Sequence, residues 1–146
     1  MKRKLIWLLP ILCLTVLALW YVIVPLLPST VTSTKWHLQS VRVVGGSILW
    51  TSNDAKQFTI EFGWRTISGR GSCNSYEGGY QLNQFTRSFS TSWTFHTMIG
   101  CLGEAAQEQE EDFFHALDTA NRYELREGNL HIYFENGAKE LVFEPE

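Results

Sequence analysis

Apolar and polar residues alternate with a period of two along most of the chain after residue 35. The alternation is clearest in 57–62 and 88–95, and Ser or Thr fills every second position of the longer stretch. This period is typical of β-strands that have one buried and one solvated face. The predicted inward residues of these two strands are Phe58, Ile60 and Phe62, and Phe89, Thr91, Trp93 and Phe95.

Shorter segments with strand character lie on either side of these two, separated by turns rich in Gly and Asn. Their predicted bounds are 36–44, 47–51, 64–68, 80–82, 122–126, 130–135 and 140–143. Trp36, Leu38 and Val43 are expected to face inward in the first of them. The Asn136-Gly137 pair between the last two strands is a strong hairpin signal.

The hydrophobic period becomes that of an α-helix between Leu102 and Ala120. One predicted buried stripe consists of Leu102, Ala106, Phe113, Leu117 and Ala120. The acidic residues are predicted to form a solvated face rather than a metal site, namely Glu104, Glu108, Glu110, Glu111 and Asp112. Because short hairpins join the strands on both sides of this helix, the pattern predicts an α+β domain with an antiparallel sheet.

The N-terminal segment has a different composition. Leu5 to Leu27 carries no charge and is apolar apart from one Thr and two Pro. As a helix this run would be about 34 Å long, enough to cross a hydrocarbon core of about 30 Å. The basic residues in Met1–Lys4 place the N-terminus in the cytoplasm by the positive-inside rule.

These features divide the chain into three parts. Residues 1–28 are predicted to be an uncleaved single-pass membrane anchor, and Cys13 is expected to be an apolar residue within it. Residues 29–34 are predicted to be a linker, and 35–146 a domain outside the cytoplasm. Cleavage of the segment as a signal peptide near 31–33 is the alternative.

The net charge of the predicted domain limits the classes of partner that it could bind. The chain carries 12 basic and 15 acidic residues, and three of the basic ones precede the apolar run. The part after that run therefore has a net charge of about −6, with no basic run. Such a domain is a poor candidate for nucleic-acid binding, because that binding depends on contacts between basic residues and phosphates.

The stretch 69–80 concentrates glycine around Cys73 and is predicted to be one tight turn. Its proposed turn residues are Gly71, Asn74, Gly78 and Gly79. Cys101 lies just before the predicted helix, and two cysteines in an exported domain favour a disulfide between Cys73 and Cys101. Two alternatives stay open: a zinc site that adds His96 and His115, and a cysteine nucleophile at Cys73.

Several of these residues together resemble the META domain, also described as HslJ-like. The resemblance runs from Trp36 to Phe143, and its most specific elements are Gly71-Ser-Cys73-Asn74 and Thr97-x-x-x-Cys101. Ser72 and the Met98-Ile-Gly100 segment depart from the usual pattern.

The resemblance implies a curved antiparallel sheet or partial barrel with one helix packed on it, and paired cysteines. It also implies a bacterial envelope context and links to stress or antibiotic tolerance and to motility. The anchor would then lie in the bacterial cytoplasmic membrane. The resemblance brings no established catalytic residues, so no enzyme and no cofactor are expected.

Two functions remain after these exclusions. The domain either binds an envelope protein, a peptide or an apolar ligand, or is a structural or stress-protective accessory without a ligand. The aromatic inner face, made of Phe58, Phe62, Phe89, Trp93 and Phe95, could line a cavity or fill the core. A solvent-open cavity of several hundred Å³ would favour the first function.

Overall fold

The computed structural model describes residues 31–52 and 57–146, without the side chain of Trp93. Within these residues the chain forms nine strands and one α-helix, in the predicted order of strands, helix and three further strands. The elements are β1 (Lys35–Val43), β2 (Ile48–Thr51), β3 (Thr59–Phe62), β4 (Thr66–Arg70), β5 (Ser75–Leu82), β6 (Phe89–His96), α1 (Glu104–Asp118), β7 (Arg122–Arg126), β8 (Asn129–Phe134) and β9 (Lys139–Pro145). The α+β class predicted from the sequence is confirmed.

The strands form one antiparallel sheet in the order β6-β5-β4-β3-β1-β9-β8-β7, and β2 pairs with β1 beside this path. Two backbone hydrogen bonds join the chain at the start of β6 to the chain at the start of β7. The N–H of Phe89 donates to the carbonyl of Asn121 at 3.1 Å, and the N–H of Tyr123 donates to that of Arg87 at 2.9 Å. The sheet therefore curls into a nearly closed barrel.

Phe113 on α1 lies at the centre of the core and is fully buried. Its ring contacts Phe58 at 5.2 Å, Tyr76 at 5.8 Å and Phe143 at 6.4 Å between ring centroids. These tilted and edge-on contacts are favourable for aromatic pairs. The helix thus packs against the inner face of the sheet, and aromatic residues just before β3 and within β5 and β9 fill the space between.

The two ends of the barrel carry different connections. The apical end holds the β4–β5 turn (71–74) and the apical loop (97–103). The two segments lie at the same end because the start of β5 pairs with the end of β4 (Ser75 with Arg70) and with the end of β6 (Tyr76 with His96). The basal end holds the start of β1, the β3–β4 turn (63–65) and the β5–β6 turn (83–88).

The helix begins later than predicted, and this corrects the position of one residue. Leu102 was expected in the buried stripe, but it is fully exposed because α1 starts only at Glu104. Gly103 adopts φ 115° just before the helix, a conformation that favours glycine, and it separates the loop from the first turn. Phe113 and Leu117 are buried as expected.

A β-bulge in β6 corrects the predicted orientation of Phe95. Glu77 pairs with Phe95 but Gly79 pairs with Ser92, so two residues of β6 lie opposite Gly78 alone. The extra residue shifts the alternation of side chains by one. Phe89 is therefore buried, whereas Phe95 is 68% exposed and lies outside the core.

The first strand also departs from its predicted pattern at its end. Trp36 and Leu38 are buried as expected, but Val43 is 37% exposed rather than inward. The register of β1 shifts between Leu38 and Ser40 against β9, and between Val41 and Arg42 against β2. Two irregularities in nine residues are enough to break a simple period of two.

The predicted membrane anchor, residues 1–28, lies outside the described residues. Among those that the structure describes, no helix has the length and apolar character needed to cross a bilayer. Val31, within the predicted linker, is buried, and its carbonyl accepts a hydrogen bond from the indole N–H of Trp36 at 3.0 Å. Packing of the domain therefore extends back at least to Val31.

Candidate functional site

The β4–β5 turn and the apical loop are joined covalently. The predicted disulfide between Cys73 and Cys101 is present, with the two Cα atoms 5.5 Å apart. The turn is closed by the N–H of Gly71, which donates to the carbonyl of Asn74 at 2.7 Å. The disulfide therefore fixes the loop that leads into α1 against a turn of the sheet.

Asn74 connects the same two segments through its side chain and is buried. Its Oδ1 accepts hydrogen bonds from the hydroxyl of Thr97 and the backbone N–H of Ile99, both at 2.7 Å. Its Nδ2 donates to the carbonyl of Ile99 at 3.0 Å and to the carboxylate of Glu110 at 2.5 Å. Both polar atoms of the amide have two partners each, which satisfies the buried group completely.

Glu110 holds the turn from the side of the helix. One carboxylate oxygen accepts the backbone N–H groups of Cys73 and Asn74, both at 2.8 Å, while the other accepts the Asn74 amide. Glu110 is only 4% exposed, so the prediction that it belongs to a solvated acidic face is wrong. Three N–H donors replace the water that this carboxylate would otherwise bind.

Gly71 lies so close to the side chain of Glu110 that the turn needs a glycine at this position. A Cβ placed on Gly71 would overlap the carboxylate of Glu110, which would have to move away from the N–H groups of Cys73 and Asn74. The glycine thus lets the turn approach the helix closely enough for the backbone N–H groups to reach the carboxylate. Its role is close approach, since its φ lies outside the left-handed region.

Tyr76 anchors the strand that follows this turn. Its hydroxyl donates to the carbonyl of Thr59 at 2.8 Å, and its ring packs edge-on against Phe113 and Phe114. Burial raises the pKa of the Tyr76 phenol well above its usual value near 10, because the phenolate would be desolvated there. The strand is therefore fixed by a neutral hydrogen-bonded tyrosine.

We call Asn74, Thr97, Glu110 and the Cys73–Cys101 disulfide the bracing network. The network holds the backbone of the apical loop, while the apolar side chains of that loop point to solvent. Met98 is 94% exposed, Ile99 62% and Leu102 101%. Three exposed apolar side chains on a loop held by buried hydrogen bonds form a preorganised apolar surface.

A groove of about 480 Å³ lies beside this loop, between the end of β6 and one face of α1. His96 stacks on Phe114 with 4.7 Å between ring centroids, which forms part of the wall. Glu111 and Asp118 line the groove and are exposed, and the lining of this groove contains neither Lys nor Arg. The apical groove therefore combines apolar surface with negative charge.

The geometry also bears on the two alternative uses of the cysteines. The sulfur atoms of Cys73 and Cys101 and a carboxylate oxygen of Glu110 lie within 4.8 Å of one another, a spacing that could hold a metal ion. The sulfurs are bonded to each other, however, so neither is a thiolate that could bind zinc or attack a substrate. In this oxidised form a zinc site would lack its cysteine ligands, and a cysteine enzyme would lack its nucleophile.

The structure brings four of the six proposed site residues together: Gly71, Cys73, Asn74 and Cys101. Gly78 and Gly79 do not belong to the turn, because β5 begins at Ser75 and contains both. A Cβ on Gly78 would lie 3.1 Å from the Cα of Thr94, so this glycine accommodates the bulge of β6. A high density of glycine is found both in turns and in strands that another backbone approaches closely. It therefore does not by itself distinguish the two.

The sequence pattern does not predict the burial of Glu110 or the hydrogen bonds of the Asn74 side chain. From the sequence, Asn74 is predicted only to shape the turn. A signal for Glu110 was nevertheless present in the helical spacing. Glu110 lies four residues after Ala106, three before Phe113 and seven before Leu117, and so falls on the predicted buried stripe.

Comparison with solved structures agrees with this architecture. A protein from Burkholderia xenovorans, solved by NMR, is 23% identical with a TM-score of 0.62, over 80% of this chain and 83% of that one. A DUF4847 family protein from Bacteroides vulgatus is 17% identical with a TM-score of 0.60, over 79% of this chain and 94% of that one. At these identities the likeness concerns the fold alone.

Comparison of sequences identifies the family. None of the curated proteins matches the chain. The family model of the META domain matches residues 29–146, which include the turn, the disulfide and the helix described above. The chain therefore belongs to the META domain family.

Proposed function

We propose that this protein is a META domain anchored in the bacterial cytoplasmic membrane that acts outside the cytoplasm by binding another protein. The binding surface is the apical loop together with the apical groove. In this role the protein is an accessory module of the cell envelope and not an enzyme. The membrane location rests on the apolar run Leu5–Leu27 and the basic residues in front of it.

The observation that carries this proposal is the combination of a fixed backbone with exposed apolar side chains. Exposing Met98, Ile99 and Leu102 to water is unfavourable, and a loop that only connected β6 to α1 would not need them. The bracing network removes the freedom of the loop before binding. A surface that is ordered in advance loses less conformational entropy when its partner binds.

The charge of the apical groove indicates the chemistry of the partner. Exposed Glu111 and Asp118 in a groove without Lys or Arg favour a positively charged side chain beside an apolar one. β6 is an end strand of the sheet order, and the groove lies along its C-terminal end. We therefore favour an extended peptide segment of a partner protein, with an apolar and a basic residue close together.

The packing of the core argues against binding of an apolar ligand inside the barrel. Phe62 contacts Tyr80 at 5.3 Å and Phe89 at 6.0 Å, and Phe58 contacts Trp50 at 5.2 Å between ring centroids. The aromatic residues on the inner face thus contact one another. The apical groove is open to solvent and lies outside this core.

Photo-crosslinking in native membranes tests the proposal. The full chain is expressed in a bacterial host with benzoylphenylalanine in place of Met98, and in a matched control in place of the exposed strand residue Gln81. We expect a discrete protein adduct from position 98 that is lost in an Ile99→Ser, Leu102→Ser background. These two substitutions keep the backbone groups of the bracing network.

Two outcomes of this experiment would contradict the proposal. One is that position 98 gives the same adducts as position 81. The other is that the adduct from position 98 persists after both substitutions. Either result would favour a domain that has only a structural role in the envelope.

A further inference from the structure

The described chain begins at the basal end. Val31 is buried there and lines a cleft with Gln84, Arg87 and Tyr123. Only residues 28–30 separate Val31 from the end of the apolar run at Leu27. Four residue steps span at most about 14 Å when fully extended. If the run crosses a membrane, as the proposed function holds, the basal end cannot lie far from the lipid surface.

Two turns lie at the same end as Val31. Lys35 at the start of β1 pairs with Glu61 in β3, so the β3–β4 turn follows directly beside the entry of the chain. Tyr80 ties the end of β5 to this turn: its hydroxyl donates to the carbonyl of Gly63 at 2.9 Å and its N–H to that of Arg65 at 3.2 Å. The β5–β6 turn comes next, and its Arg87 lines the cleft of Val31.

Each of these turns exposes one large aromatic side chain. Trp64 is 93% exposed and Phe85 is 78% exposed, among the most exposed apolar residues that the structure describes. Each is followed closely by an arginine, Arg65 and Arg87. Tryptophan is enriched where membranes meet water, because an amphipathic indole suits the headgroup region, and arginine reaches phosphates from there.

The acidic residues at the basal end repel lipid phosphates only weakly, because basic residues lie close to most of them. Lys35 lies 2.5 Å from a carboxylate oxygen of Glu146 and 3.8 Å from one of Glu61, and Arg87 lies 3.1 Å from one of Glu124. Glu127 adds a charge at the nearby β7–β8 turn. Because positive and negative charges are nearly balanced, contact with lipid would depend on the aromatic side chains more than on net charge.

We propose that the basal end rests on the phospholipid headgroups of the membrane that holds the anchor, with Trp64 and Phe85 inserted among them. This inference rests on the anchoring in the proposed function. It fixes the orientation of the domain, because the barrel then stands with its basal end on the bilayer. The apical loop and the apical groove face away from the membrane, where a partner protein can reach them.

Paramagnetic relaxation in nanodiscs tests this orientation. The full chain is reconstituted in phosphatidylcholine nanodiscs, and amide signals are compared with and without lipid that carries a gadolinium chelate on its headgroup. We expect signal loss in the turns 63–65 and 83–88 and little loss in 98–102. Trp64→Ser with Phe85→Ser should reduce the loss in both turns, whereas Gln81→Ser, a matched exposed control, should not.

The outcomes separate the inference from the function on which it rests. A chain that does not co-purify with lipid on flotation overturns the anchoring, and the inference with it. A chain that floats with lipid overturns the orientation alone if its amide signals are lost uniformly, or if the greatest signal loss lies in 98–102. Protection of both turns from a soluble gadolinium chelate, without loss from the lipid chelate, would mean that a second protein copy covers them and also overturns it.

Discussion

Replacing Glu110 by Gln tests the bracing network with the smallest possible change of shape. The amide oxygen of Gln can still accept the two backbone N–H groups of Cys73 and Asn74. Its NH₂ group, however, would face the NH₂ group of Asn74 at the position of the present 2.5 Å hydrogen bond. Asn74 cannot rotate its amide to adapt, because its oxygen already accepts the backbone N–H of Ile99.

The cost of this change follows from the bonds that it removes. One charge-assisted hydrogen bond contributes about 1.5–3 kcal/mol, and buried donors left without an acceptor cost about 1–3 kcal/mol. We therefore expect Glu110→Gln to lower the free energy of unfolding by about 3 kcal/mol. In a domain of this size that corresponds to a melting temperature lower by about 10 °C.

Urea unfolding of the full chain in a mild detergent, followed by circular dichroism, measures the difference. Glu108→Gln is the matched control, because Glu108 lies on the same helix and is exposed. We expect this control to change the free energy of unfolding by less than about 0.5 kcal/mol. If Glu110→Gln is as stable as Glu108→Gln, the buried carboxylate does not hold the turn and this interpretation of the network is wrong.

Two further predictions concern stability. Replacing Cys73 and Cys101 together by Ser should lower the free energy of unfolding by about 3.5 kcal/mol, the chain-entropy value for a loop of about 28 residues. A reducing agent should destabilise the parent similarly and leave the double variant unchanged, whereas equal sensitivity of both would refute this. Because burial raises the pKa of Tyr76, its contribution is present below about pH 10 and is lost as the pH rises, when the unfolded chain ionises first. Urea unfolding between pH 8 and 11 should therefore show a shallower loss of stability in Tyr76→Phe than in the parent, and parallel curves would contradict this.

Local patterns were sufficient for most of the fold. The alternation in 57–62 identified β3, and the bounds of β7 agree with the structure residue for residue. The helical period located α1 to within two residues at each end. These features depend on short-range spacing, which the order of residues contains directly.

The site depended on contacts between distant residues, and these could not be read from spacing. The number and context of the cysteines predict the pairing of Cys73 with Cys101 correctly, but nothing local indicates that Asn74 bonds to Ile99 and Glu110. The charge of Glu110 predicts a position in solvent, although its spacing places it on the buried stripe. A buried carboxylate is stable only when donors from elsewhere in the fold surround it, and here those donors come from a turn 36 residues away.

Bulges account for most of the remaining differences. One extra residue in β6 turned Phe95 outward, and two shifts of register in β1 accompany the exposure of Val43. A period of two has no means of indicating where a strand gains a residue. Gly78 is the residue that accommodates this bulge, whereas the density of glycine around it predicts a turn.

In the proposed function, the apical loop binds a partner because the bracing network holds it in place. The most direct measurement is the yield of the photo-adduct from position 98 in Glu110→Gln, at a temperature where this variant is folded, compared with Glu108→Gln. Glu110→Gln leaves Ile99 and Leu102 intact. It changes a carboxylate at the groove that is only 4% exposed and whose hydrogen bonds support the loop. A lower yield in Glu110→Gln, with an unchanged yield in Glu108→Gln, is the predicted result. Equal yields in the two variants would contradict the claim, because the loop would then bind without its support.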